Sequence, residues 1–236
     1  NQYLNNKLIG EYKDAFSETT PEEFNQEMNN AMAYNANRGN EQKLEELGLT
    51  YENVLNAAGN GIMGYIEIPK ISVSLIIYHS IEENVLQKGI GHVPESHLPV
   101  GGESTHCVLA GHTGLPSAKL LTNIDHLKIG DRFYLHVLNE VLEYKIDDIS
   151  VVEPDEVSRL NVISGKDCVT LVTCTPYGVN SHRLLVRGHR IEKGEASVLR
   201  VTANATQISH CLVTAVVAIP IAIVALIVII IRRLRR

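Results

Sequence analysis

The sequence predicts a mainly β domain, a sandwich or a closed barrel, with helices in front of it and one membrane-spanning helix behind. Three observations carry this. Between Ile62 and His189, short runs rich in Val, Ile, Leu, Thr and Tyr alternate with Gly, Pro, Asn and Asp. Before residue 60, apolar positions recur at helical spacing. From Leu212 to Ile231, twenty residues pass without a charge or an amide.

The N-terminal elements follow from their caps. Thr20-Pro21-Glu22-Glu23 starts a helix: Thr20 caps it, Pro21 suits the first turn and Glu23 completes a capping box. Phe24, Met28, Ala31 and Tyr34 then form its apolar stripe, and Gly39 ends it. A second short helix is expected over Glu41–Leu47, with Gly48 after it. The turn cluster Asn56 to Gly61 marks a boundary. Beyond it, strands are expected at Ile62–Ile68, Ile71–His79, Thr105–Gly111, Arg132–Leu138, Val141–Val152, Cys168–Cys174 and His182–His189. Helical periodicity is weak in this region apart from Ser117–Ile124. No internal repeat is visible.

The segment 212–231 is long enough to cross a hydrocarbon core of about 30 Å as a helix. Pro220 is tolerated inside a membrane helix. Arg232, Arg233, Arg235 and Arg236 follow at once, and by the positive-inside rule they stay cytoplasmic, so residues 1–211 face outward. The N-terminus is polar and shows no signal peptide, so an export signal or anchor is expected upstream. Charge sharpens the picture. The formal net charge of −6 includes those four arginines, so the body is more acidic than the whole. An acidic body argues against a nucleic-acid binder, whose phosphate contacts need a basic face. The expected organisation is a helical region at 1–60, a β domain at 61–193, a linker at 194–211, the span at 212–231 and a basic tail at 232–236. Asn204-Ala205-Thr206 matches a glycosylation pattern that is frequent by chance.

Four cysteines in an outward-facing chain raise the question of disulfides. Cys168 and Cys174 sit on one strand-like run, and six steps of about 3.3 Å put them beyond disulfide reach. Cys211 lies at the membrane boundary. At least one free thiol is therefore expected. Cys107, Cys168 and Cys211 are read as buried or juxtamembrane thiols. His106, His182 and His189 are read as structural.

Cys174 has a chemical context. VLAGHTG (108–114) is an apolar run that ends in a glycine and then His112. TLVTCTP (170–176) ends in Cys174 and is stopped by a proline. SHRLLVRG (181–188) opens with Arg183. A hairpin over 168–189 puts Cys174 and Arg183 at the same end of adjacent strands, where His112 can face them. A thiolate is the nucleophile, an imidazole moves the proton, and a guanidinium meets an oxyanion or holds a substrate carbonyl. Taken singly, each residue type is ordinarily a packing or surface residue. Together they point to acyl transfer through a thioester. No dinucleotide fingerprint, P-loop or HExxH motif is present, and neither a cofactor nor a metal is expected.

TLVTCTPYGVNSHRLLVRGHR (170–190) resembles the signature of the sortases, extracellular cysteine transpeptidases of Gram-positive bacteria, and is most similar to the class C, or pilus, members. GIMGYIEIPKI (61–71) and HLPVGGESTHCVLAGHTGLPSAKLLTNIDHLKIGD (97–131) extend the likeness. The resemblance implies a closed eight-stranded barrel with N-terminal helices. It implies Cys174 as nucleophile, His112 as acid and base, Arg183 as the catalytic arginine of the following strand and Thr173 as a substrate-binding residue. The loop 153–167 and the turn 175–182 become the groove walls. The implied reaction cleaves an LPxTG-like sorting signal at Thr–Gly and joins it to an amine: a pilin lysine, or a cell-wall precursor. Two alternatives stand beside pilus polymerisation: a housekeeping-type enzyme that anchors surface proteins to peptidoglycan, and a non-catalytic pilin-binding scaffold. Many class C members carry an Asp-Pro-aromatic lid. Residues 1–60 contain no Asp-Pro, and 35–50 (NANRGNEQKLEELGLT) is polar, so an absent or degenerate lid is expected.

Overall fold

The computed structural model describes residues 2–16, 19–56, 59–113 and 120–191. The expected linker, the span 212–231, the basic tail, the glycosylation pattern and Cys211 all lie outside the described residues. Among the described residues no helix is long and apolar enough to cross a membrane.

The β runs close into one barrel. In chain order the strands are β1 (Ile62–Ile68), β2 (Val73–Tyr78), β3 (Ile90–His92), β4 (Thr105–Ala110), β5 (Arg132–Val137), β6 (Glu140–Val152), β7 (Asp167–Thr175) and β8 (His182–Arg190). Around the barrel they run β1-β2-β3-β4-β7-β8-β6-β5, and β5 pairs back to β1. Most neighbours are antiparallel, but β2 with β3 and β4 with β7 are parallel. Closure removes every sheet edge. Alternation then decides the core. Ile66, Ile68, Leu109, Phe133, Leu135, Val169, Leu171 and Val186 point inward and are fully buried.

β3 is only three residues long and has no counterpart among the expected strands. The crossover that precedes it holds a short helix. The expected helix over Ser117–Ile124 is corrected in its described part: residues 120–123 are turns that run into a 3-10 helix at Ile124–His126. Leu120, Leu121 and Ile124 are buried there, so core demand rather than helical periodicity spaces them.

Among the described residues four α-helices accompany the barrel: α1 (Gln2–Ala15), α2 (Pro21–Ala36), α3 (Glu41–Leu47) and α4 (Glu83–Leu86). α1 packs Ile9 and Tyr12 on Ile62, Tyr65 and Ile76. Its Tyr12 hydroxyl donates to the Met63 carbonyl at 3.2 Å and accepts from the Leu138 N–H at 2.8 Å. α2 has the expected capping box, with the Glu23 N–H on Thr20 Oγ1 at 3.3 Å and the Thr20 N–H on Glu23 Oε2 at 2.8 Å. Its buried Asn35 clamps Leu98 by both backbone groups, at 3.2 and 2.8 Å. α3 ends at Gly48, whose φ of 66° is the left-handed cap that glycine permits. The segment 35–50 therefore completes α2, turns and forms α3, and its anchor is the β3–β4 connection.

Candidate active site

Strand register brings three of the expected residues together. β7 and β8 pair antiparallel with Cys174 directly opposite Arg183. Facing residues in such a pair have Cα atoms about 5 Å apart and share one face. On the other side, β4 pairs with β7 in parallel, Ala110 beside Val172. The ladder continues past the end of β4, because the Gly111 N–H donates to the Val172 carbonyl at 3.0 Å. His112 lies two residues beyond Ala110 and Cys174 two beyond Val172, so they stand level. His112, Cys174 and Arg183 thus occupy the same end of three adjacent strands.

The face is the outer one. Val169 and Leu171 fill the barrel, so Cys168, Thr170, Val172 and Cys174 point out. Leu184 and Val186 point in, which turns Arg183 out. Thr173 falls on the opposite face from Cys174. It is 3% exposed, and its hydroxyl has no hydrogen-bond partner among the described residues. The structure does not bring the Thr173 side chain to the face that carries the thiol.

Each side chain has a local reason for its place. The Gly111 backbone fits between Ile90 and Leu121, where a Cβ would meet Ile90 Cγ2 at 2.8 Å and Leu121 Cδ1 at 2.9 Å. The Leu121 N–H donates to the His112 carbonyl at 3.2 Å, which fixes the backbone just past the glycine. Pro176 has no N–H for the ladder, so β7 stops one residue after Cys174. The Arg183 guanidinium donates from Nη1 to the Asn180 carbonyl at 3.2 Å and the His182 carbonyl at 3.1 Å. A guanidinium has five N–H donors, so others stay available.

The surrounding loops are tied to the same face. β6 ends at Val152, opposite Arg183. The next residue, Glu153, pairs with His182 Nε2 at 3.3 Å and links the 153–166 loop to the start of β8. Deeper along the face, buried His106 joins Thr170 Oγ1 at 2.7 Å and the Asn161 carbonyl at 2.9 Å, pinning that loop to the sheet. Burial holds the His106 imidazole below its ordinary pKa. Arg187 and His189 both reach Asp147, at 2.9 and 3.4 Å. Cys107 and Cys168 are free, buried thiols, and desolvation pushes both upward in pKa. Cys174 is also free and is partly exposed.

One contact at the site has no sequence signature. Glu83, the first residue of α4, places its carboxylate on His112 Nε2 at 3.2 and 3.3 Å. Hydrogen bonds from Gln87 and His112 hold the Glu83 carboxyl below the usual range. Nothing in the sequence pattern links residues 83 and 112, because only the parallel β2–β3 crossover joins them. Among the described residues, no group of three His, Cys, Asp or Glu side chains is arranged to hold a metal ion.

Comparison with known proteins agrees with this architecture. The family model for the sortase domain matches residues 66–191. The solved structure of sortase C1 from Streptococcus agalactiae is 43% identical, with a TM-score of 0.73, over 79% of this chain and 98% of that one. Sortase C from Streptococcus pneumoniae is 40% identical, with a TM-score of 0.69, over 79% and 97%. Among curated proteins, sortase A of Bacillus anthracis is 35% identical over 54% of this chain and 59% of its own length. Sortase A of Streptococcus agalactiae is 30% identical over 63% and 62%. The chain therefore spans about three fifths of the curated relatives it matches. It belongs to the sortase family. Its solved neighbours include several class C members, in agreement with the class its motifs resemble.

Proposed function

We propose that this protein is a cysteine transpeptidase of the pilus-assembling kind, held at the membrane with its barrel outside the cell. Cys174 attacks the carbonyl of the threonine in an LPxTG-like sorting signal. The carbonyl oxygen becomes an oxyanion, and free N–H groups of Arg183 donate to it. His112 gives a proton to the glycine nitrogen, the C–N bond breaks and the glycine-led peptide leaves. A thioester joins the threonine to Cys174. An amine then attacks this carbonyl, His112 takes its proton, and the C–S bond breaks to return the thiolate and leave a new amide. Thr173 contributes from beneath, where its pairing with Leu184 holds the strand end that carries the nucleophile.

The observation that carries this reading is the register: one face, three adjacent strand ends, and a nucleophile, a proton carrier and a cation in a row. The class C neighbours favour a pilin lysine as acceptor; the work on the Streptococcus pneumoniae relative concerns pilin substrate specificity. The membrane placement rests on the apolar run 212–231 and the arginines after it. The test is mass spectrometry of the products from an LPxTG peptide, offered with a pilin bearing its lysine and, separately, with a wall-type amine. Pilin–peptide amide as the main product supports the reading. A product with the wall-type amine alone moves the protein to the housekeeping role. Turnover by C174A ends the covalent mechanism.

A further inference from the structure

The proposed reaction asks His112 to hold and release protons at one ring nitrogen, and the structure occupies the other. Both oxygens of Glu83 lie on Nε2, and Gln87, one turn along, donates to Glu83 Oε1 at 3.1 Å. The position of Glu83 is fixed by its crossover. The Lys88 and Gly89 N–H groups close the helix on the Val85 carbonyl, at 2.9 and 3.1 Å. Gly91, two residues on, lies so close to the β2 end that a Cβ there would fall 2.2 Å from the Ser80 carbonyl oxygen. The backbone that carries Glu83 is thereby held in place beside His112.

We infer that Glu83 is the positioning residue for the imidazole, holding His112 with the proton on Nε2 and leaving Nδ1 to serve the thiol and the peptide. The inference rests on the reading of His112 and Cys174 given above. An ionised carboxylate only accepts, so Nε2 must carry the hydrogen. In the neutral ring the lone pair then sits on Nδ1, which has no hydrogen-bond partner among the described residues. This is the nucleophile, base and orienting carboxylate arrangement in a new setting. Stability does not account for the pair. The Glu83 side chain is 65% exposed and that of His112 26%, and exposed ion pairs contribute little to folding. Glu83 from α4 is the charged group on the ring, and Cys174 from β7 and Arg183 from β8 stand at the same strand ends.

The test uses E83A, E83Q and E83D in the full chain, with two readouts across the active pH range. One is steady-state cleavage of an LPxTG peptide. The other is alkylation of Cys174 by iodoacetamide, which needs no sorting signal. E83A should lower kcat about tenfold with little change in KM, and slow the alkylation of Cys174 several-fold. E83D should recover part of the loss, and E83Q, whose amide oxygen still accepts one hydrogen bond, less of it. Thermal unfolding should be unchanged in all three. Unaltered kcat and alkylation in E83A, or a faster enzyme, overturn the inference. If alkylation slows in E83A while wild type turns over no peptide, Glu83 keeps its role and the transpeptidase reading fails instead.

Discussion

Replacing Gly111 with alanine joins core packing directly to the backbone of His112. The added methyl lands 2.8 Å from Ile90 Cγ2, 2.9 Å from Leu121 Cδ1 and 3.2 Å from Leu121 Cγ. Carbon atoms prefer about 3.5–4.0 Å, so both side chains must retreat by roughly 0.6 Å or more. Neither has room, because Ile90 and Leu121 are both 0% exposed. Overpacking of this kind costs about 1–3 kcal/mol. At about 3 °C per kcal/mol for a domain of this size, the Tm falls by about 3–9 °C. Activity suffers more than stability. Leu121 is one of the two displaced residues, and it also bonds the His112 carbonyl, so its movement reaches the imidazole. A misplacement near 1 Å costs on the order of 100-fold in rate. The assay is thermal unfolding beside kcat/KM for an LPxTG peptide. A variant with wild-type Tm and wild-type kcat/KM would refute the claim that this glycine is required by close approach.

Three further outcomes are expected. Desolvation, partly offset by the His97 carbonyl, lowers the pKa of buried His92 from 6.5 to about 4. The unfolded chain then binds a proton first as pH falls, so stability is full above about 6.5 and up to ~3 kcal/mol is lost towards pH 4. His97 and His106 are shifted the same way by burial and add to the loss. Denaturant unfolding at several pH values checks this, and H92Q should flatten the slope. Limited alkylation followed by peptide mapping should label Cys174 well before Cys107 or Cys168, since burial protects those two; equal labelling of Cys168 contradicts its cover by the 153–166 loop. R183K should lower kcat by about 100-fold with little change in folding, because an ammonium cannot bond the two loop carbonyls and an oxyanion with one fixed fork. Steady-state kinetics with circular dichroism decides.

The antiparallel half of the fold was legible because it is local. Val, Ile and Tyr alternation bounded by turn residues locates β1, β5, β6, β7 and β8 to within two residues at either end. Capping chemistry located α2 and α3 in the same way. The missing parts are those set by distant partners. β3 is Ile-Gly-His, too short to carry a period, and it exists because Tyr78 and Leu109 offer ladders on either side. The parallel β4–β7 pairing joins residues about sixty positions apart, and no turn signal announces such a crossover. Cys174 and Arg183 could be matched across a hairpin from sequence. His112 could be matched by motif only, and its level beside Cys174 emerges from the Ala110–Val172 register. Thr173 was expected at the groove through the motif it shares with Cys174, yet a residue next to Cys174 on a strand must face the other way. Glu83 had no motif at all.

The central claim is that Cys174 becomes an acyl carrier. Intact-mass measurement of the protein after brief exposure to an LPxTG peptide, with no amine supplied, tests it most directly. A mass gain equal to the peptide up to its threonine, mapped to Cys174 and reversed by hydroxylamine, is the expected result. An unmodified protein whose peptide is nevertheless cleaved, or an adduct mapped to any other residue, contradicts it.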